Sequence, residues 1–113
     1  MNYNTNQSIF IQIAERICDR VLSGNYKADS RIPSVRELAV EMEVNPNTVM
    51  RSFERLQANE IIYNKRGIGY FVASDAEVAV IQWHFARVNA ERRARGEAPH
   101  ADLTALLAAN IRS

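Results

Sequence analysis

The stretch from Ile32 to Thr48, IPSVRELAVEMEVNPNT, leaves a folding chain little freedom. Two helix starts fall within it, each with its own cap. Ser34 with Glu37 three residues later is a capping box: the serine oxygen takes one free backbone N–H and the glutamate takes another. Pro33 pushes Ile32 out of the α region, so the chain reaches this cap extended. Val35, Leu38, Ala39 and Met42 then give a short helix its buried side, and Val44 closes the turn. Asn45 caps the next helix, and Pro46 takes its first position, where no backbone N–H is needed. Val49, Phe53 and Leu56 follow at i, i+4 and i+7 and face inward. Asn47, Thr48, Arg51 and Arg55 lie opposite, with Met50 at the margin. Two short helices around a tight turn form a helix-turn-helix. A first turn of small hydrogen-bonding side chains followed by arginine suits a helix aimed end-on into a DNA major groove.

The flanking sequence supplies the rest of a domain. Ser8 can cap a helix beginning at Ile9, whose positions Ile9, Ile13, Ile17 and Val21 follow helical spacing up to a stop at Gly24. A polar loop from Asn25 to Arg31 follows. After the third helix, Ile61 to Tyr63 and Tyr70 to Val72 read as paired strands, joined by the loop NKRGIG with Lys65 and Arg66 at its tip. A basic hairpin loop beside a recognition helix can reach phosphates or the minor groove. The fold class is therefore α+β, mostly helical. Residues 1–73 form a winged helix-turn-helix of three helices and a two-stranded wing, and residues 74–113 form two C-terminal helices. In that tail Asp75 caps a long helix ended by Gly96, along which Val78, Ile81, Phe85 and Val88 repeat like a coiled-coil seam. Asp102 caps a last short helix with Leu103, Leu106, Leu107 and Ile111 on one side. Two helices cannot by themselves enclose a ligand cavity of ~300 Å³. Their apolar stripes need cover from the winged domain or from a second subunit, and the expectation is a homodimer interface.

Composition neither supports nor opposes DNA binding. The formal net charge is +1, and residues 1–73 carry nine Lys/Arg against eight Asp/Glu. Basic residues must therefore be concentrated on one face if the chain binds DNA. No apolar run approaches the ~20 residues of a membrane span, and MNYNTNQS lacks a signal peptide's apolar segment, so a cytoplasmic protein without a membrane partner is expected. Catalysis finds no support. His84 and His100 fall in different elements without a carboxylate cluster, and the single cysteine, Cys18, lies near the buried face of the first helix. No metal site, no phosphate loop and no dinucleotide motif appears, so no cofactor is expected.

The motifs PSVRELA and VNPNTV, closed by KRGIGYFV, resemble the DNA-binding domain of the GntR family of bacterial transcription regulators over about Ser8 to Ala73. The short two-helix tail looks like that of the YtrA-type subfamily. The resemblance implies a winged-helix homodimer on double-stranded DNA with a palindromic operator, usually repressing and often controlling transporter genes. It also implies that Ser34 and Arg36 hold phosphate or base edges. Asn45, Asn47, Thr48 and Arg51 would form the recognition surface, and Arg66 with Gly67 the wing tip. The chain departs from the family pattern at Glu60 (generally glycine), at Tyr70 (usually threonine) and at Met50, where some members place a base-reading arginine. A winged-helix module for protein–protein contact shares this fold. It should expose apolar anchors where this third helix shows polar side chains.

Overall fold

The computed structural model describes residues 8–102; the polar Met1 to Asn6 and the last short helix, with Leu103, Leu106, Leu107 and Ile111, lie outside the described residues. The element order is α1 (Ile9–Leu22), α2 (Val35–Met42), α3 (Pro46–Ala58), β1 (Ile62–Lys65), β2 (Gly69–Val72) and α4 (Ala76–Ala94). Three helices followed by an antiparallel hairpin is the winged helix-turn-helix expected from the caps and periodicities.

Both caps of the central stretch form. Glu37 N–H donates to Ser34 Oγ at 3.1 Å and Ser34 N–H donates to Glu37 Oε1 at 3.2 Å. Asn47 N–H donates to Asn45 Oδ1 at 2.8 Å. Ser8 occupies the N-cap position of α1, but its side chain makes no capping hydrogen bond. α1 instead gains its stability from burial: Ile13, Ala14, Ile17, Cys18 and Val21 are all inside.

The core lies where α1, α3 and the wing meet. Phe53, Ile13, Ile17, Leu38, Leu56, Ile61, Ile62, Val49 and Val72 are fully buried. Burying such a side chain contributes about 1.5–3 kcal/mol. Ser52 is buried among them, and its Oγ donates to the Phe10 carbonyl at 2.6 Å, tying the first turn of α1 to the middle of α3. On the other side of α1, Arg20 Nη2 pairs with Glu41 of α2 at 2.6 Å while Arg20 Nη1 donates to the Tyr26 hydroxyl, also at 2.6 Å.

In the hairpin, Ile62 faces Val72, Tyr63 faces Phe71, Asn64 faces Tyr70 and Lys65 faces Gly69. The strands extend further toward the tip than the NKRGIG loop suggested. Ile68 N–H donates to Lys65 O at 2.9 Å, which tightens the turn to Arg66, Gly67 and Ile68.

The chain divides into two compact units, residues 1–80 and 81–113. The first turns of α4 belong to the first unit, where Ala76, Ala79 and Val80 are buried. In the second unit Asn89 is buried, and its amide clamps the backbone of His100: Asn89 Nδ2 donates to His100 O at 3.1 Å, and His100 N–H donates to Asn89 Oδ1 at 2.7 Å. Arg92 and Arg95 pair with Glu97 just beyond the helix end.

Candidate nucleic-acid interface

The first turn of α3 is built by its cap. Asn45 Oδ1 is taken by the Asn47 N–H, and both Asn45 and Asn47 are exposed. Helical spacing puts Asn47, Arg51, Glu54 and Ala58 on one outward line, and all four are exposed. A carboxylate in the third turn would repel phosphate. The usable surface is thus the first two turns, as an end-on approach to a groove requires.

Arg51 stands above the Phe10 ring, its Cζ 4.2 Å from the centroid, and Arg55 shares the same ring at 5.5 Å. A cation over an aromatic face is attracted to it by ~0.5–1 kcal/mol at exposed sites. The ring also narrows the rotamers available to Arg51. Phe10 itself is held by the hydrogen bond from Ser52 to its carbonyl. The ring of Phe10 under two arginines is a contact between distant elements, α1 and α3, that periodicity along either helix does not report.

Thr48 and Met50 are half-buried on the two flanks of that line. Met50 leans toward the wing, where the Tyr70 hydroxyl meets its Sδ at 4.0 Å. The Tyr70 ring packs edge-on against Phe53 at 4.7 Å. Two departures from the family pattern, Met50 and Tyr70, therefore touch one another.

At the start of α2, Ser34 is half-buried by its cap and Arg36 is exposed. Ser34, through its backbone N–H and its hydroxyl, holds the Glu37 carboxyl below the usual carboxylate range, and the nearby charge of Arg31 adds a smaller pull. On the wing, Lys65 Nζ lies 4.6 Å from the Phe71 ring centroid, and Phe71 stacks on Tyr63 at 5.7 Å. Arg66 and Gly67 form the exposed tip, with Gly67 at φ 80°. Ion pairs neutralise Arg20, Arg92 and Arg95, whereas Arg31, Arg36 and Arg66 have no carboxylate partner among the described residues. Unpaired arginines thus flank the helix-turn-helix and tip the wing, although the net charge of the chain is only +1.

Of the expected dimer residues, Val78 and Ile81 are 53% and 44% exposed on α4, and Phe85 and Val88 are half-buried. No group of three His, Cys, Asp or Glu that could hold a metal ion occurs among the described residues, and no helix among them is long and apolar enough to cross a membrane.

Known proteins share this arrangement. The family model described as bacterial regulatory proteins, gntR family, matches residues 11–72. An uncharacterised HTH-type transcriptional regulator of Bacillus subtilis, YhcF, is 34% identical over 76 residues, which is 67% of this chain and 63% of the relative. The HTH-type transcriptional repressor YtrA of the same organism is 34% identical over 66% of this chain and 57% of its own length. The chain thus spans about three-fifths of the length of these two relatives. Among solved structures, a transcriptional regulator of GntR family from Bacteroides thetaiotaomicron matches with a TM-score of 0.67 and 51% identity, over 78% of this chain and 76% of that one.

Proposed function

This chain belongs to the gntR family of bacterial regulatory proteins, and on that premise we propose that it is a cytoplasmic repressor acting as a homodimer on a palindromic operator. Transcription regulation through DNA binding is the activity of the family, and its relatives are regulators and not enzymes. The finer reading rests above all on the first two turns of α3, where Asn45, Asn47 and the Phe10-backed Arg51 are exposed together. Amide side chains of this kind pair with adenine edges, and arginine with guanine or phosphate. Arg36 at the start of α2 and Lys65, Arg66 and Gly67 on the wing supply the positioning contacts to phosphate and minor groove. Ser34 and Thr48 complete the surface. By analogy with the name of one relative, repression is the proposed mode of action; the resemblance to the YtrA-type subfamily makes a transporter operon the proposed target.

The C-terminal region, residues 74–113, is proposed to hold the dimer through Val78, Ile81, Phe85 and Val88, with Leu103, Leu106 and Leu107 in the last segment. This places one α3 in each of two successive major grooves, roughly 34 Å apart.

The test is selection of bound fragments from a genomic duplex pool, followed by salt titration on the enriched sequence. Arg36→Ala should weaken binding to all duplexes about equally and lower the salt slope by about 1 for each engaged subunit. Asn47→Ala should instead change the preferred bases. Equal binding by Arg36→Ala and the wild type at matched salt would remove Arg36 from the interface. A second reading, a protein-docking module, draws on Val40, which is 79% exposed beside Val44 and Pro46. Failure to enrich any duplex at low salt would favour it.

A further inference from the structure

Arg31 lies outside the motifs that define the interface. Its backbone forms an antiparallel bridge with Phe71, and Ile32 N–H donates to Tyr70 O at 2.9 Å, so the segment leading into α2 runs along the open edge of β2. In this register Arg31 shares the outer face of the hairpin with Phe71 and Gly69, and across the ladder from Gly69 stands Lys65. Gly69 leaves a gap on that face, and Arg31 fills it. A Cβ at Gly69 would come 2.9 Å from Arg31 Nε and 3.5 Å from Cζ and Nη2. Arg31 is exposed, has no carboxylate partner among the described residues, and is close enough to α2 for its charge to reach Glu37. Along the chain Arg36 follows it by five residues in the first turn of α2, and across the ladder Lys65 is paired with the glycine it covers.

We propose that Arg31 is a further DNA-contacting residue: a phosphate-binding cation seated on Gly69, which joins the phosphate contact of α2 to that of the wing. The inference rests on the DNA-binding reading above. Its physical basis is preorganisation. A guanidinium lodged in the gap above a glycine loses less freedom on meeting phosphate than one free in solvent, and its fork suits phosphate oxygens. Gly69 becomes a positioning residue, needed for the space it leaves as well as for its φ of 143°.

The experiment titrates salt against binding of the full chain to a labelled mixed-sequence duplex and to the enriched fragment. Arg31→Gln should weaken both about 5- to 10-fold at about 100 mM salt and lower the salt slope by about 0.9 for each engaged subunit. Arg31→Lys should keep the slope. Gly69→Ala should lose affinity much as Arg31→Gln does, and combining the two should add little. An unchanged slope in Arg31→Gln, with Arg36→Ala weakened in the same assay, overturns the contact. Full additivity of Gly69→Ala and Arg31→Gln overturns the seat. Should Gly69→Ala melt too low to assay, the Arg31→Gln and Arg31→Lys slopes decide the contact by themselves. If the wild type binds no duplex, the DNA-binding reading itself falls, an outcome distinct from failure at Arg31 alone.

Discussion

Glu43 and Glu60 hold their backbones in the left-handed region, at φ 57° and 61°. Both end a helix in the same way. Val44 N–H reaches back to Ala39 O and Ile61 N–H to Leu56 O, each at 3.0 Å, closing the last turns of α2 and α3. α1 and α4 end on Gly24 and Gly96 at φ 86° and 77°, without the Cβ penalty that each glutamate carries. That penalty is roughly 1–2 kcal/mol, partly offset because glycine makes the unfolded chain more mobile. Both glutamate side chains are exposed. Glu60→Gly should therefore raise stability by about 0.5–1 kcal/mol, read as a higher denaturant midpoint at unchanged m-value, while Glu60→Ala should gain nothing. A loss of stability in Glu60→Gly would mean that the side chain contributes more than the exposed position allows. The resemblance marks Glu60 as a departure from a family glycine, and a helix end is a local feature. The sequence does not show Arg31 on Gly69: those residues meet only through the register of a bridge between distant segments.

The elements themselves were legible because their signals are short-range. Caps at Ser34 and Asn45, a stop at Gly24 and spacing in α1 and α3 all act within a few residues, and each falls where the sequence places it. Strand ends were less so, since a single hydrogen bond from Ile68 to Lys65 decides where the wing turns. How the wing sits on α3 was not legible at all. Tyr70 supplies it, with its ring edge-on to the fully buried Phe53 and its hydroxyl on Met50. Where the family usually has threonine, that ring should be expensive to lose. Tyr70→Thr should destabilise the chain by about 2–3 kcal/mol by vacating its aromatic contact, whereas Tyr70→Phe should cost under about 1 kcal/mol. Thermal melts of the two variants separate packing from the hydroxyl. A threonine variant as stable as the wild type would show that the wing is seated by Ile62 and Val72 alone.

At the scale of the whole molecule, two facts need a common explanation. A winged unit of this size sits where a single core is marginal, and α4 leaves Val78 and Ile81 about half exposed in a single chain. Exposed isoleucine and valine one turn apart on a helix, followed by the half-buried Phe85 and Val88, form a stripe that a second copy could cover. The proposed dimer would also explain how a surface with few base-reading side chains per subunit reaches useful specificity, because the second half-site then binds as an intramolecular event worth about 10²-fold or more. Changing Ile81 and Phe85 together to glutamate should move sedimentation from dimer to monomer. It should also lower operator affinity by at least about 10²-fold and cut the salt slope by about half, since half the phosphate contacts are gone. The winged unit should remain folded, because neither Ile81 nor Phe85 is among its buried residues, which include Ile13, Leu38, Phe53 and Val72. A variant that sediments as a dimer and binds the operator with an unchanged salt slope would place the interface away from this stripe. Monomers that retain full operator affinity would instead show that one wing and one α3 suffice, and that the two-fold operator is not what this chain reads.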